Sequence, residues 1–193
     1  MLSMLLEVLF SVIVLIPIYL ILNKVRFHST TKTLYYFVFA TYLSAIYLFV
    51  GMPTLQFMRF ELSLTLIPFI PMLSDIKNTI LNIALFVPLG FMLPIFWKNY
   101  RTLKHTLTFS FLLSLAIELL QILTYRATDI NDLIANTFGA ILGYFVFVII
   151  SHIVPSITKI AKKKNDIAII IATVIFVDFF IQPYLATLYY KIT

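Results

Sequence analysis

Hydrophobic residues fall along this chain in six blocks of about twenty, at roughly 2–22, 33–52, 76–97, 104–124, 131–153 and 167–189. About twenty apolar residues in a helix cross the hydrocarbon of a bilayer, so the blocks predict six membrane-spanning helices. No soluble domain, long linker or low-complexity segment is left over, and the expected organisation is a single membrane domain over residues 1–193. Only the connection at 53–75 has room for structure of its own, and Pro53, Pro68 and Pro71 argue against a regular helix through it. It is too apolar for a solvated loop. It is therefore expected to lie along the membrane interface or to fold back onto the helices. The chain start is not expected to be a cleaved signal peptide, because no basic region precedes the first block and Glu7 lies inside it.

Polar residues interrupt the pattern most densely in ELLQILTYRATDINDLIANTFGAILG, from Glu118 to Gly143. Glu118, Gln121, Arg126, Asp129, Asp132 and Asn136 sit together there, and polar groups beside hydrocarbon are costly unless they pair or serve a site. The stretch reads as the end of the fourth span, a short loop and the start of the fifth. Glu118 and Gln121 are three apart and share a helix face. Asp129 precedes a helix start, where a carboxylate caps free backbone N–H groups. Asp132, Asn136, Gly139 and Gly143 recur along one stripe, polar at its start and small further on, as in close helix packing. The third span brings a second polar row, Asn78 and Asn82, followed by Pro88, which is expected to kink the helix, and Gly90, which eases close contact. In the sixth span Asp178 lies near the midpoint with Gln182 one turn on, so Asp178 must be protonated or find a donor.

Composition sharpens the membrane reading. The chain is 62% hydrophobic with a mean hydropathy of +1.03, well above the roughly 45–50% apolar usage of soluble domains. The net charge of +6 reflects topology rather than nucleic-acid binding. Lys24, Arg26, Lys32, Lys98, Arg101, Lys104, Lys159, Lys162, Lys163 and Lys164, ten of the fourteen Lys and Arg, fall in the first, third and fifth connections. The positive-inside bias puts those connections in the cytoplasm, both termini outside, and the Glu118–Asn136 stretch on the outer side. With no cysteine there is no disulfide framework and no thiolate metal site, and His28, His105 and His152 stand apart from one another. No cofactor is expected.

NIALFVPLGF, then S-x-x-x-E-x-x-Q, then R-x-x-D-x-x-D-x-x-x-N-x-x-G-x-x-x-G resembles the signature of the VanZ-like family, over a core of about 64–150. The matching positions are Asn82, Pro88, Gly90, Glu118, Gln121, Arg126, Asp129, Asp132, Asn136, Gly139 and Gly143. The flanking spans 2–22, 33–52 and 167–189 carry no part of this signature, which leaves Asp178 outside it. Such proteins are small multi-pass proteins of the bacterial cytoplasmic membrane, associated with resistance to teicoplanin-type glycopeptides. The resemblance thus implies an all-α polytopic helix bundle in the cell envelope.

Two functional classes fit the polar residues. In the first, an outward cleft between the third, fourth and fifth spans binds an amphipathic molecule, such as a lipid-linked cell-wall precursor or a lipoglycopeptide. Arg126 would hold an anionic head group, and Asn78, Asn82, Glu118, Gln121, Asp129, Asp132 and Asn136 would line the site. In the second, the protein is an intramembrane enzyme acting on a lipid or polyprenyl phosphate, with Glu118 as acid or base. Asp129 and Asp132 are the carboxylates available to a divalent cation, although no metal is expected. No nucleophile motif is present. Each residue also has a structural explanation: interhelical bonds for the asparagines, capping for Asp129, a surface ion pair for Arg126, and packing for Pro88, Gly90, Gly139 and Gly143.

Overall fold

The computed structural model describes residues 2–60, 63–65, 67–69, 72, 75–124, 128–160 and 166–192. The protein is all-α, with six long helices where the hydrophobic blocks predict them. These are α1 (Leu2–Leu22, continued by a π turn Asn23–Phe27), α2 (Thr30–Phe49), α3 (Ile76–Phe96), α4 (Leu103–Gln121) and α5 (Ile130–Ile153). The last, α6, runs in three pieces, Ile167–Phe176, a π turn Val177–Ile181, and Gln182–Ile192. Among the described residues, α1, α3, α4, α5 and α6 are long and apolar enough to cross a membrane. The 20-residue α2 has the length but is diluted by Tyr35, Tyr36, Tyr42, Tyr47 and four threonines. Much of α2 is buried against protein, with Thr33, Tyr36, Ser44 and Tyr47 among its buried positions, so those polar tips avoid lipid.

The chain forms two compact units, residues 1–59 with 166–193, and residues 60–165. In the first unit α1, α2 and α6 pack around Leu15, Phe39, Ala40, Ile170 and Val177, none of them exposed. Its basic end is tied by Asp166, 1% exposed, which accepts from Lys32 Nζ at 2.6 Å and from Arg26 at 3.3 Å. The π turn of α6 has a local cause. Pro183 has no N–H to give the carbonyl of Phe179 one turn back, and its ring crowds that carbonyl. The Leu55 backbone N–H takes the freed oxygen instead, at 3.1 Å.

The second unit holds α3, α4 and α5. Helix starts are set by side chains: Asp75 accepts the Asn78 N–H at 3.1 Å to cap α3, and Asp129 accepts the Asn131 N–H at 2.8 Å to cap α5. Helices α3 and α5 run parallel and touch backbone to backbone. A Cβ on Gly139 would overlap the carbonyl oxygen of Ile83, one on Gly143 that of Val87, and one on Gly90 that of Ala140. Without a hydrophobic drive between helices in lipid, such close approach supplies the dispersion contact that holds the pair. Pro88 and Pro94 both lie inside α3, which continues through them to Phe96. Part of the 53–75 connection folds back onto this unit: β1 (Leu64–Thr65) pairs in parallel with β2 (Thr128–Asp129), directly ahead of α5.

Candidate functional site

The N-termini of α3 and α5 and the C-terminus of α4 converge in the second unit, which collects most of the polar residues of the chain's middle third. At the rim the exposed Asn78 donates from Nδ2 to Asp132 Oδ1 at 3.3 Å. One layer in, Glu118 is 3% exposed and its Oε2 accepts the backbone N–H of Asp129 at 2.8 Å. The Glu118 carbonyl accepts from Thr128 Oγ1 at 2.9 Å, so the end of α4 and the start of α5 are fastened twice. Gln121, on the same face of α4, is also 3% exposed. Deeper still, Asn136 (2% exposed) donates from Nδ2 to Ser114 Oγ at 2.9 Å.

The cause is helical spacing. Ser110, Ser114 and Glu118 follow at steps of four on α4, so all three face inward on one stripe, and all three are buried. Small hydroxyls along that stripe let α4 lie close to α5, and Ser114 supplies the partner for Asn136 opposite. On α5, Asn131, Asn136 and Gly139 are buried as well.

Some polar atoms in this interior have no hydrogen bond. They are Asn82 Nδ2, Asn136 Oδ1 and Ser110 Oγ. Asn82 directly precedes Ile83, whose carbonyl meets Gly139, and Asn136 lies one turn before Gly139. An idle amide donor on α3 and an idle amide acceptor on α5 therefore flank one helix contact. Buried polar groups without partners are exceptional and call for a ligand or water.

Asp129 is turned into its own helix start, with Oδ1 accepting both the N–H and the Nδ2 of Asn131, the latter at 2.7 Å. Asp132 turns instead to Asn78. Among the described residues no group of three His, Cys, Asp or Glu is placed to hold a metal ion. Arg126 lies outside the described residues, as do Lys162, Lys163 and Lys164.

Asn131 has a larger part than its sequence context suggests. It is 3% exposed, its Nδ2 donates to the Ile67 carbonyl at 3.0 Å, and its Oδ1 accepts the Phe69 N–H at 2.8 Å. This clamps a segment in which Phe69 adopts φ 68, a left-handed conformation costing a bulky residue roughly 1–2 kcal/mol. The signal was present in D-I-N-D, an amide inside the first helical turn after a capping aspartate, but its partners are more than sixty residues away.

A family model described as VanZ/LLP1 matches residues 8–151 of this chain. That match reaches back through α1 and α2, beyond the core marked by the polar signature. Protein VanZ of Enterococcus faecium is 38% identical over 82 residues, covering 42% of this chain and 50% of that relative. The chain thus spans about half the length of the curated relative it matches. No solved structure matches the chain.

Proposed function

Because the chain belongs to the VanZ/LLP1 family, we propose that its second unit binds the head group of an amphipathic envelope molecule. A lipid-linked cell-wall precursor or a lipoglycopeptide fits this description, and such binding contributes to lowered susceptibility to teicoplanin-type glycopeptides. The observation that carries this reading is the pair of idle amide atoms, Asn82 Nδ2 and Asn136 Oδ1, at the inner end of the polar row. One offers a donor and the other an acceptor. Amide and hydroxyl groups of a peptide or sugar satisfy both at once, whereas bare hydrocarbon satisfies neither. Gln121, Glu118, Asp132 and Asn78 continue the row outward, and Arg126 supplies a cation for an anionic group on the same ligand.

The alternative, an enzyme acting on a lipid or polyprenyl phosphate, asks Glu118 to exchange a proton during turnover. The 2.8 Å bond from the Asp129 N–H to Glu118 Oε2 favours a fixed acceptor that shapes the site instead.

The test is expression of wild type, Asn82→Ala, Asn136→Ala and Glu118→Gln in a susceptible bacterium, at matched membrane levels, with teicoplanin susceptibility as the readout. Purified protein is assayed in parallel for binding of labelled teicoplanin. The wild type should lower susceptibility and the three variants should lose most of that effect. A wild type indistinguishable from empty vector, with no teicoplanin binding, overturns the reading. Phosphate release from a polyprenyl diphosphate that depends on Glu118 would establish the enzyme instead.

A further inference from the structure

The first unit contains a buried carboxylate that the proposed site does not use. Asp178 is 0% exposed and sits in the π turn of α6, opposite α1 and α2. From α1, Ser11 (0% exposed) donates its hydroxyl to Asp178 Oδ1 at 2.6 Å. From α2, Ser44 (0% exposed) lies against the same carboxyl. Ser44 is thus the second hydroxyl within reach of this carboxyl, and Gln182, one turn along α6 and 2% exposed, reaches Glu7 in the same way. The other titratable groups facing this point are Glu7 on α1, half-buried beside Gln182, and Tyr47 on α2, whose hydroxyl donates to the Pro53 carbonyl at 2.5 Å.

No cation joins them among the described residues. The ion pairs described for this unit are those of Arg26 and Lys32 with Asp166. Asp166 lies some twelve residues from Asp178, about 18 Å of helix rise. An ionised carboxylate here would have two serine hydroxyls and, among the described residues, no counter-charge, which is costly inside a membrane helix. A proton on Oδ2 removes the charge and lets the carboxyl donate to Ser44 Oγ, where the ionised form could only accept from it.

We propose that Asp178 is an intramembrane proton-binding site, holding a proton on Oδ2 that is donated to Ser44 Oγ, with Glu7 and Gln182 forming the polar approach from the N-terminal end of α1. The placement within a π turn fits this role. Such turns carry a mismatched backbone that can shift register, and they recur at functional sites. Loss of the proton leaves a charge answered by two serine hydroxyls and by no cation among the described residues, which favours entry of water or a shift of α6.

The experiment is infrared difference spectroscopy on the purified full chain in lipid, followed across pH. The wild type at neutral pH should show the carbonyl-stretch band of a buried protonated carboxyl, and that band should be absent from Asp178→Asn. The Asn variant should melt at or above the wild-type temperature, since its amide presents a donor to Ser44 without a charge. Ser44→Ala should keep the band but shift it upward in frequency, because the acid loses its acceptor; this arm stands even if Asp178→Asn does not fold. An Asp178 carboxyl that is fully ionised at neutral pH overturns the proposal. So does a band or melting temperature that follows sodium concentration at fixed pH.

Discussion

Glu118 and Asp129 are joined through the backbone: the Glu118 carboxylate accepts the Asp129 N–H at 2.8 Å while the Asp129 carboxylate caps the helix that follows. The two acids therefore serve one turn in sequence. This arrangement separates the structural work of Glu118 from any ligand work. Glu118→Ala strands a buried N–H and should lower stability by about 1–3 kcal/mol. Glu118→Gln retains an acceptor of the same length and should cost less than about 1 kcal/mol in a thermal melt of purified protein. If the proposed site is correct, that well-folded Gln variant nevertheless loses the susceptibility phenotype. A Gln variant that is equally stable and fully active removes Glu118 from the site.

The glycine contacts set the spacing of α3 and α5. Gly143→Ala puts a methyl into the Val87 carbonyl, and since both atoms belong to helix backbones neither gives way cheaply. The helices must part, and the cost expected of overpacking is about 1–3 kcal/mol. Leu142→Ala, next in sequence but on a 38% exposed side chain, should change the melting temperature little. Equal effects from the two substitutions would contradict the close contact.

Asn131 is expected to hold the connection before α3 in place. Asn131→Ala removes the acceptor of the Phe69 N–H and the donor to Ile67, so hydrogen exchange at Phe69 should speed up by at least tenfold. Exchange in α3 and α5 beyond their first turns should stay as slow as in the wild type. Unchanged protection at Phe69 would show that the pairing of β1 with β2 suffices to fix the segment.

The distribution of basic residues predicts which end of each helix faces the cytoplasm. Single cysteines in place of the exposed Lys77 and Lys104 lie at the starts of α3 and α4. A membrane-impermeant thiol reagent should label the first in intact cells and the second only after the membrane is opened. The reverse pattern would invert the orientation and place the polar cluster at the cytoplasmic face.

What the sequence determined by itself is what local chemistry specifies. Hydropathy over about twenty residues placed the helices, because the cost of leaving backbone or polar groups in hydrocarbon is paid residue by residue along the chain. The cap at Asp129 and the inward stripe of Asn136, Gly139 and Gly143 were legible for the same reason, since both follow from position within one helix. The polar signature was likewise readable, while the family match over α1 and α2 was not, because those helices hold few charged, amide or glycine positions whose spacing could mark it. Tertiary structure alone decided which helices are neighbours. Apolar faces are nearly equivalent against lipid tails, so backbone contact and buried hydrogen bonds select the pairing, and these join distant residues. Thus Asn78 meets Asp132, Asn136 meets Ser114, and Asn131 reaches back to Ile67 and Phe69. For Asp178, sequence could say only that a carboxylate at that depth needs a proton or a donor. Folding supplied Ser11 as the donor, set Ser44 against the same carboxyl and brought no cation among the described residues.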